Sequence, residues 1–312
     1  MTQIDKLGLQ SDLPFLSKFM ILIGLFLVFS TVGGGIGLVL SAYMTGMSLA
    51  QMLDFQKHLY DYPNMYDAIM ALQTFSTPIP FIGAALFFWV FIEKQSIQDL
   101  SLRETSLPII LLVGILVIVF MPFDAIFIEI NQKLALPESM KNIQDWMKKS
   151  EDAMGELTKF LTDFKNSSQL IVAMIVVALL AGISEELMFR GVLQNIALRA
   201  FQNHHVAIWF AAFWFSFIHF QFFGFLPRMF LGALFGYLYF WTKNIWVPIF
   251  AHIVNNGFTL LMVYLYKNKA VNLDIESTKS VPLTAVLGSL VLTMVILRFF
   301  YQKYAQFENP KS

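Results

Sequence analysis

Apolar residues in this chain come in long unbroken runs, not in the strict alternation of a half-buried strand. Eight runs stand out, at 19–42, 68–92, 107–130, 169–200, 205–222, 225–241, 245–266 and 281–301. As a helix, each crosses or nearly crosses the roughly 30 Å of hydrocarbon in a bilayer. Only helices and closed barrels satisfy their backbone in lipid, and barrel strands would alternate in segments of about ten residues. The pattern predicts an all-α polytopic membrane protein of about eight transmembrane helices. Pro78 and Pro80 should kink the second run, and Pro122 with Asp124 should interrupt the end of the third. The longest polar stretch, 131–168, sets Ile143, Trp146, Met147, Met154, Leu157, Phe160, Leu161 and Phe164 at helical spacing among charged residues. This is an amphipathic helix, lying in the membrane interface or packed on the bundle. The chain divides into a three-span region (1–130), the amphipathic connector (131–168), a membrane core (169–301) and a polar tail (302–312).

Composition agrees with this reading and narrows the function. Hydrophobic residues make up 57% of the 312 and charged residues 13%, against roughly 45–50% and about 25% in soluble domains. Twenty-one basic residues balance 21 acidic ones, so there is no electrostatic footprint for nucleic acid, and the absence of cysteine removes disulfides, thiolate metal sites and a cysteine nucleophile. Asp5, Lys6, Asp12 and Lys18 do not make a basic leader, so the first run reads as an uncleaved span. With eight spans both termini share a side. Setting aside the lysines of the amphipathic stretch, that side carries ten Lys and Arg against five on the other, which predicts both termini in the cytoplasm.

Chemistry concentrates in the core. A charge at the bilayer centre costs at least roughly 2.5–3.5 kcal/mol, yet the fourth run carries Glu185, Glu186 and Arg190 in the sequence Ser-Glu-Glu-Leu-Met-Phe-Arg. Glu186 and Arg190 are four apart, on one face, and should pair structurally. Glu185 lies about 100° round the helix, so its partner must come from another helix. The fifth run contains Phe215 and His219, the seventh His252 and Asn256, again at four-residue spacing. Taken singly, each histidine reads as an interhelical hydrogen-bonder. Gly33 with Gly37, and Gly232 with Gly236, read as close helix packing, and Ser184 as a small residue in a packed helix. His58, His204 and His205 lie in or near connections, so surface positions are their default.

These three motifs, Glu185-Glu186-x-x-x-Arg190, Phe215-x-x-x-His219 and His252-x-x-x-Asn256, resemble the signature of the CPBP membrane proteins. That family, also called Abi or CAAX-protease-like, includes the Ras-converting type of CAAX prenyl endopeptidase. The resemblance covers about the last 140 residues. It implies an intramembrane endopeptidase in which Glu185 and His219 activate a water. His252 and Asn256 would stabilise the oxyanion or position the water, with Glu186, Arg190 and Phe215 in support. It further implies a bacterial cytoplasmic membrane, with the bilayer and a peptide or protein substrate as partners. Glu185, His219 and His252 are also chemically acceptable as three zinc ligands. A metal-free glutamate mechanism is preferred, because ligands spread over three helices lack the paired spacing of a zinc motif. No His-Glu-x-x-His, Gly-x-Gly-Asp or Gly-x-Ser-x-Gly is present. A proton-coupled transporter predicts internal repeats, and a non-enzymatic factor of the same fold predicts decay of a motif residue. Neither feature is found.

Overall fold

The computed structural model describes residues 12–132, 137–273 and 281–305. The polar tail beyond 305, and Lys6, Lys133, Lys279 and Lys311 of the charge count, lie outside them. The helices are α1 (Phe15–Thr45), α2 (Met65–Ile92), α3 (Leu107–Gln132), α4 (Lys141–Thr162), α5 (Ser167–Phe201), α6 (His204–Phe217), α7 (Phe225–Thr242), α8 (Trp246–Lys267) and α9 (Leu283–Ala305). No β-strand occurs among the described residues. The protein is an all-α polytopic membrane protein.

Six of these helices, α1, α2, α3, α5, α8 and α9, are long and apolar enough to cross a membrane. The other two apolar runs form shorter helices. The run 205–222 yields only the 14 residues of α6, and 225–241 yields the 18 of α7. At 1.5 Å per residue α6 is about 21 Å long, well short of the hydrocarbon thickness. Asn203 caps its start, its side chain accepting from the backbone N–H of His205 and Val206. Beyond Phe217 the chain turns, with Phe220 in the left-handed region at φ 51°. Ser216 Oγ donates to the Phe225 carbonyl at 2.6 Å and so fastens the end of α6 to the start of α7.

The prolines act in two ways. In α2 the helix breaks at Thr77, where Pro78 lacks the N–H that would continue the ladder. In α3 the expected interruption does not occur, and the helix runs through Pro122 to Gln132. Ser289 of α9 explains why. Its hydroxyl donates to the Val119 carbonyl at 2.5 Å and accepts from the Phe123 N–H at 3.0 Å, bridging the pair of groups that Pro122 strains.

Glycine sets the close approaches. A Cβ on Gly33 would lie 2.5 Å from the Phe75 carbonyl oxygen, and one on Gly37 2.9 Å from that of Leu72, so α1 and α2 meet backbone to backbone. Gly232 packs against Ala212 and Phe215, and Gly236 against Ile208, which seats α7 on α6.

Polar contacts sort the connections into two ends. At one end Lys18 pairs with buried Glu93 at 2.6 Å, Arg199 approaches Glu93 at 4.0 Å, and Ser101 bridges to Asn244. At the other, Asn131 donates to the Phe222 carbonyl, Trp146 packs on Phe222, and Lys267 donates to the Thr162 carbonyl. The helices therefore alternate in direction, α6 and α7 included. The amphipathic helix α4 packs on the second end: Leu157 is buried, with Met154, Phe160 and Leu161 against the same cluster. Ile143 and Trp146 stay about half exposed.

Candidate active site

The Glu-Glu pair sits in the middle of α5, where the helix changes its hydrogen-bonding register twice. Met174–Leu180 and Leu187–Leu193 adopt i→i+5 bonding, and the α-helical Ala181–Glu186 lies between them. Such wide turns leave carbonyls free and are frequent at functional sites. One of them, Val177, accepts from Asn256 Nδ2 at 3.0 Å. Further along α5, Gly182 lets the same helix α8 approach, since a Cβ there would sit 3.0 Å from Ile253.

Glu186 and Arg190 pair as their spacing predicts, with Nη1 donating to Oε1 at 2.7 Å and both side chains buried. Arg190 is fully partnered. Its Nη2 donates to the Gly232 carbonyl at 2.9 Å, and its guanidinium lies over Phe215 at 4.5 Å and near Phe235 at 5.5 Å. The same Glu186 oxygen also takes His252 Nδ1 at 2.8 Å, from a residue 66 positions away. Glu186 is thus the anchor for Arg190 and for His252.

Glu185 points the other way, into the space between the two imidazoles. Its Oε2 lies 3.9 Å from His219 Nε2 and 3.9 Å from His252 Nε2. His219 reaches it because α6 stops at Phe217 and the turn that follows carries the imidazole to the level of a mid-helix glutamate. Phe215 forms the wall. Its ring is 5.3 Å from that of His219 and 5.8 Å from that of His252, and its carbonyl holds His219 Nδ1 at 2.7 Å.

The two Nδ1 contacts fix the tautomers. A carbonyl and a carboxylate only accept, so both Nδ1 atoms carry hydrogen and both rings turn Nε2 toward Glu185. Three acceptors facing one point suit either a water that gives up protons or a cation. As donors the three fit zinc, and each ring N–H rests on the kind of outer partner that zinc-binding histidines have. Their separations do not: ligands at about 2.0–2.1 Å in a tetrahedron stand about 3.3 Å apart, below the 3.9 Å found here. Among the described residues no three His, Asp or Glu side chains close to metal-holding distance.

Asn256 shares the face of His252 but stands one turn along α8. Besides bonding Val177, it accepts from Asn255 Nδ2 at 3.1 Å. The structure therefore joins Glu185, His219 and His252 directly, with Asn256 beside them and half committed to the backbone of α5. Sequence reasoning missed Arg228, on the first turn of α7, which donates to Gln221 in the turn that carries His219. The rule that drew attention to Glu185, a charge inside an apolar run, applies to Arg228 equally.

The sequence model of the family described as type II CAAX prenyl endopeptidase Rce1-like matches residues 167–258. Residues 167–258 are CAAX-protease-like. This match covers under a third of the chain and takes in all three motifs, while α1 to α3 lie outside it. It identifies a family of membrane proteases, and so at the coarse level a peptide hydrolase. No curated protein and no solved structure matches the chain.

Proposed function

We propose that this CAAX-protease-like protein hydrolyses a peptide bond in membrane-associated or membrane-delivered peptides, without a metal, by glutamate-activated water. The observation that carries the reading is the 3.9 Å gap between Glu185 Oε2 and each Nε2. It is too wide for a direct hydrogen bond and is spanned by one water at about 2.8 Å from each group. Such a water donates to Glu185 and to the His219 lone pair. As it attacks the scissile carbonyl its proton passes to Glu185, which then returns it to the leaving amine. On the far side, the second N–H of Asn256 is a donor for the developing oxyanion, and His252, held by Glu186 through Nδ1, shapes the wall beside it. Were zinc bound, Glu185, His219 and His252 would hold it, and it would polarise the carbonyl and acidify the water.

The setting is a cytoplasmic membrane with both termini on the cytoplasmic face, supported by the excess of Lys and Arg on that side. The test compares the peptide termini of membrane and secreted proteins in cells carrying the wild-type protein or Glu185→Gln. New termini that require Glu185 support proteolysis. Identical profiles, with both proteins present in the membrane in equal amount, refute it.

A further inference from the structure

Two arginines of the core, Arg190 buried and Arg228 partly buried, differ in what they hold. Arg190 spends its guanidinium on Glu186, Gly232 and two aromatic faces. Arg228 makes a single hydrogen bond among the described residues, from Nη2 to Gln221 Oε1 at 2.5 Å, and its Nη1 is buried with no partner. Among the described residues no carboxylate forms an ion pair with it. A guanidinium nitrogen buried without a partner is costly to keep, since its lost hydration goes unreplaced.

The surroundings hold this guanidinium in place. Gly224 lies beneath it, and a Cβ there would sit 3.1 Å from Nη2 and 3.4 Å from Nη1, so the absence of a side chain makes the seat. Gln221 fixes one edge of the fork. The turn that carries Gln221 also carries His219, and α4 braces it through Ser150 on the Phe220 carbonyl, Glu151 on the Phe223 N–H and Trp146 on Phe222. Arg228 is thus fixed relative to His219, through a contact made two residues beyond it in the same turn.

We propose that Arg228 is a specificity-determining residue, binding a carboxylate of the substrate next to the Glu185–His219 centre. The planar fork suits a carboxylate, which is the anionic group a peptide offers, either as a free C-terminus or as an Asp or Glu side chain. The carboxylate then lies within a few residues of the cleaved bond, and the enzyme prefers bonds near a chain end or at a fixed distance from an acidic residue. This rests on the proteolytic reading above.

The experiment uses the full-length protein in detergent micelles and a mixture of synthetic peptides of randomised sequence, made once with free C-terminal carboxylates and once amidated. Cleavage sites and rates are read by mass spectrometry. A free C-terminus as the ligand gives an acid-over-amide preference of about tenfold or more in kcat/KM, the size of one charge-assisted contact. That ratio falls toward one in Arg228→Gln, stays intermediate in Arg228→Lys, and falls in Gly224→Ala, which displaces the fork without removing its charge. An acidic side chain as the ligand leaves acid and amide alike but places Asp or Glu at one fixed position around the cut, a bias lost in Arg228→Gln. A loss of folded protein lowers every rate together and leaves the ratios alone. Unchanged ratios and cut-site composition in Arg228→Gln overturn the proposal. The binding of both peptide sets to the inert Glu185→Gln protein separates the two readings. If the wild-type protein cuts nothing, the proteolytic reading fails. Carboxylate-dependent binding that needs Arg228 then still supports its role, and binding indifferent to the carboxylate, or none, rejects it.

Discussion

Glu185 and Glu186 are neighbours in the chain with opposite duties, and their substitutions should separate cleanly. Glu185 has no ion pair of its own, only two imidazoles at 3.9 Å, so Glu185→Gln keeps the volume and the packing while removing the base. Activity should drop below detection, with yield and thermal stability of the purified protein near wild type. Arg190→Ala should behave in reverse. It strips Glu186 of a 2.7 Å partner in a site with no water access and removes a guanidinium that fills the space between Phe215 and Phe235. Breaking one side of a buried pair costs about 3–5 kcal/mol, which should appear as a lower melting temperature and less extractable protein. Equal stability of the two variants would refute this division. The Glu186–Arg190 contact was legible because it is local, fixed by the pitch of one helix. The contact of Glu186 with His252 was not, because nothing in the spacing of one segment says which residue of a distant helix will face it.

Helix α5 positions the site by changing its own geometry, and α8 reads that change through Asn256. Asn256→Ala removes the bond to the Val177 carbonyl together with a donor beside the site. Turnover should fall by about 10²-fold with little change in KM, as when an oxyanion donor is lost. A fall in KM-linked binding with unchanged kcat would instead assign Asn256 to substrate seating. The turn 218–224 is the second such element. It is carried at the end of the short helix α6 and held from outside by Trp146 and Glu151 of α4. Releasing one of these contacts, as in Glu151→Ala, costs about 1 kcal/mol of local order. It should lower kcat by roughly three- to tenfold while the melting temperature of the bundle stays put. The apolar run 205–222 gave no warning of this turn, since hydropathy does not distinguish a buried connection lined with Phe220 and Phe222 from the last turn of a helix.

At the scale of the whole molecule, the metal and the membrane orientation each have a direct test. The spacing of Glu185, His219 and His252 supports a metal-free centre, so treatment of active protein with a strong chelator should leave the rate unchanged. Stoichiometric zinc that leaves together with activity, and restores it on return, would replace this mechanism while keeping the protease. Orientation can be read with single cysteines, because the chain has none of its own. Gln98 and Asn268 are exposed at opposite ends of the bundle. With the termini in the cytoplasm, a membrane-impermeant maleimide should label Asn268→Cys in right-side-out vesicles and Gln98→Cys in inverted ones. The opposite pattern would reverse the assignment.

The sequence by itself determined that the protein is an all-α membrane bundle, because lipid leaves an apolar run few ways to satisfy its backbone. It also determined which polar residues were worth watching, because a charge or imidazole inside such a run is costly and needs a reason. Only the tertiary structure decided how many helices run the full thickness. It alone brought His219, on a turn, to the level of Glu185 in mid-helix, mended α3 at Pro122 with a serine from α9, and left Arg228 with a free edge beside the centre. These outcomes depend on the packing of residues far apart in the chain, and on where a helix stops when another helix supplies the missing hydrogen bonds. Periodicity and hydropathy are local properties and carry neither.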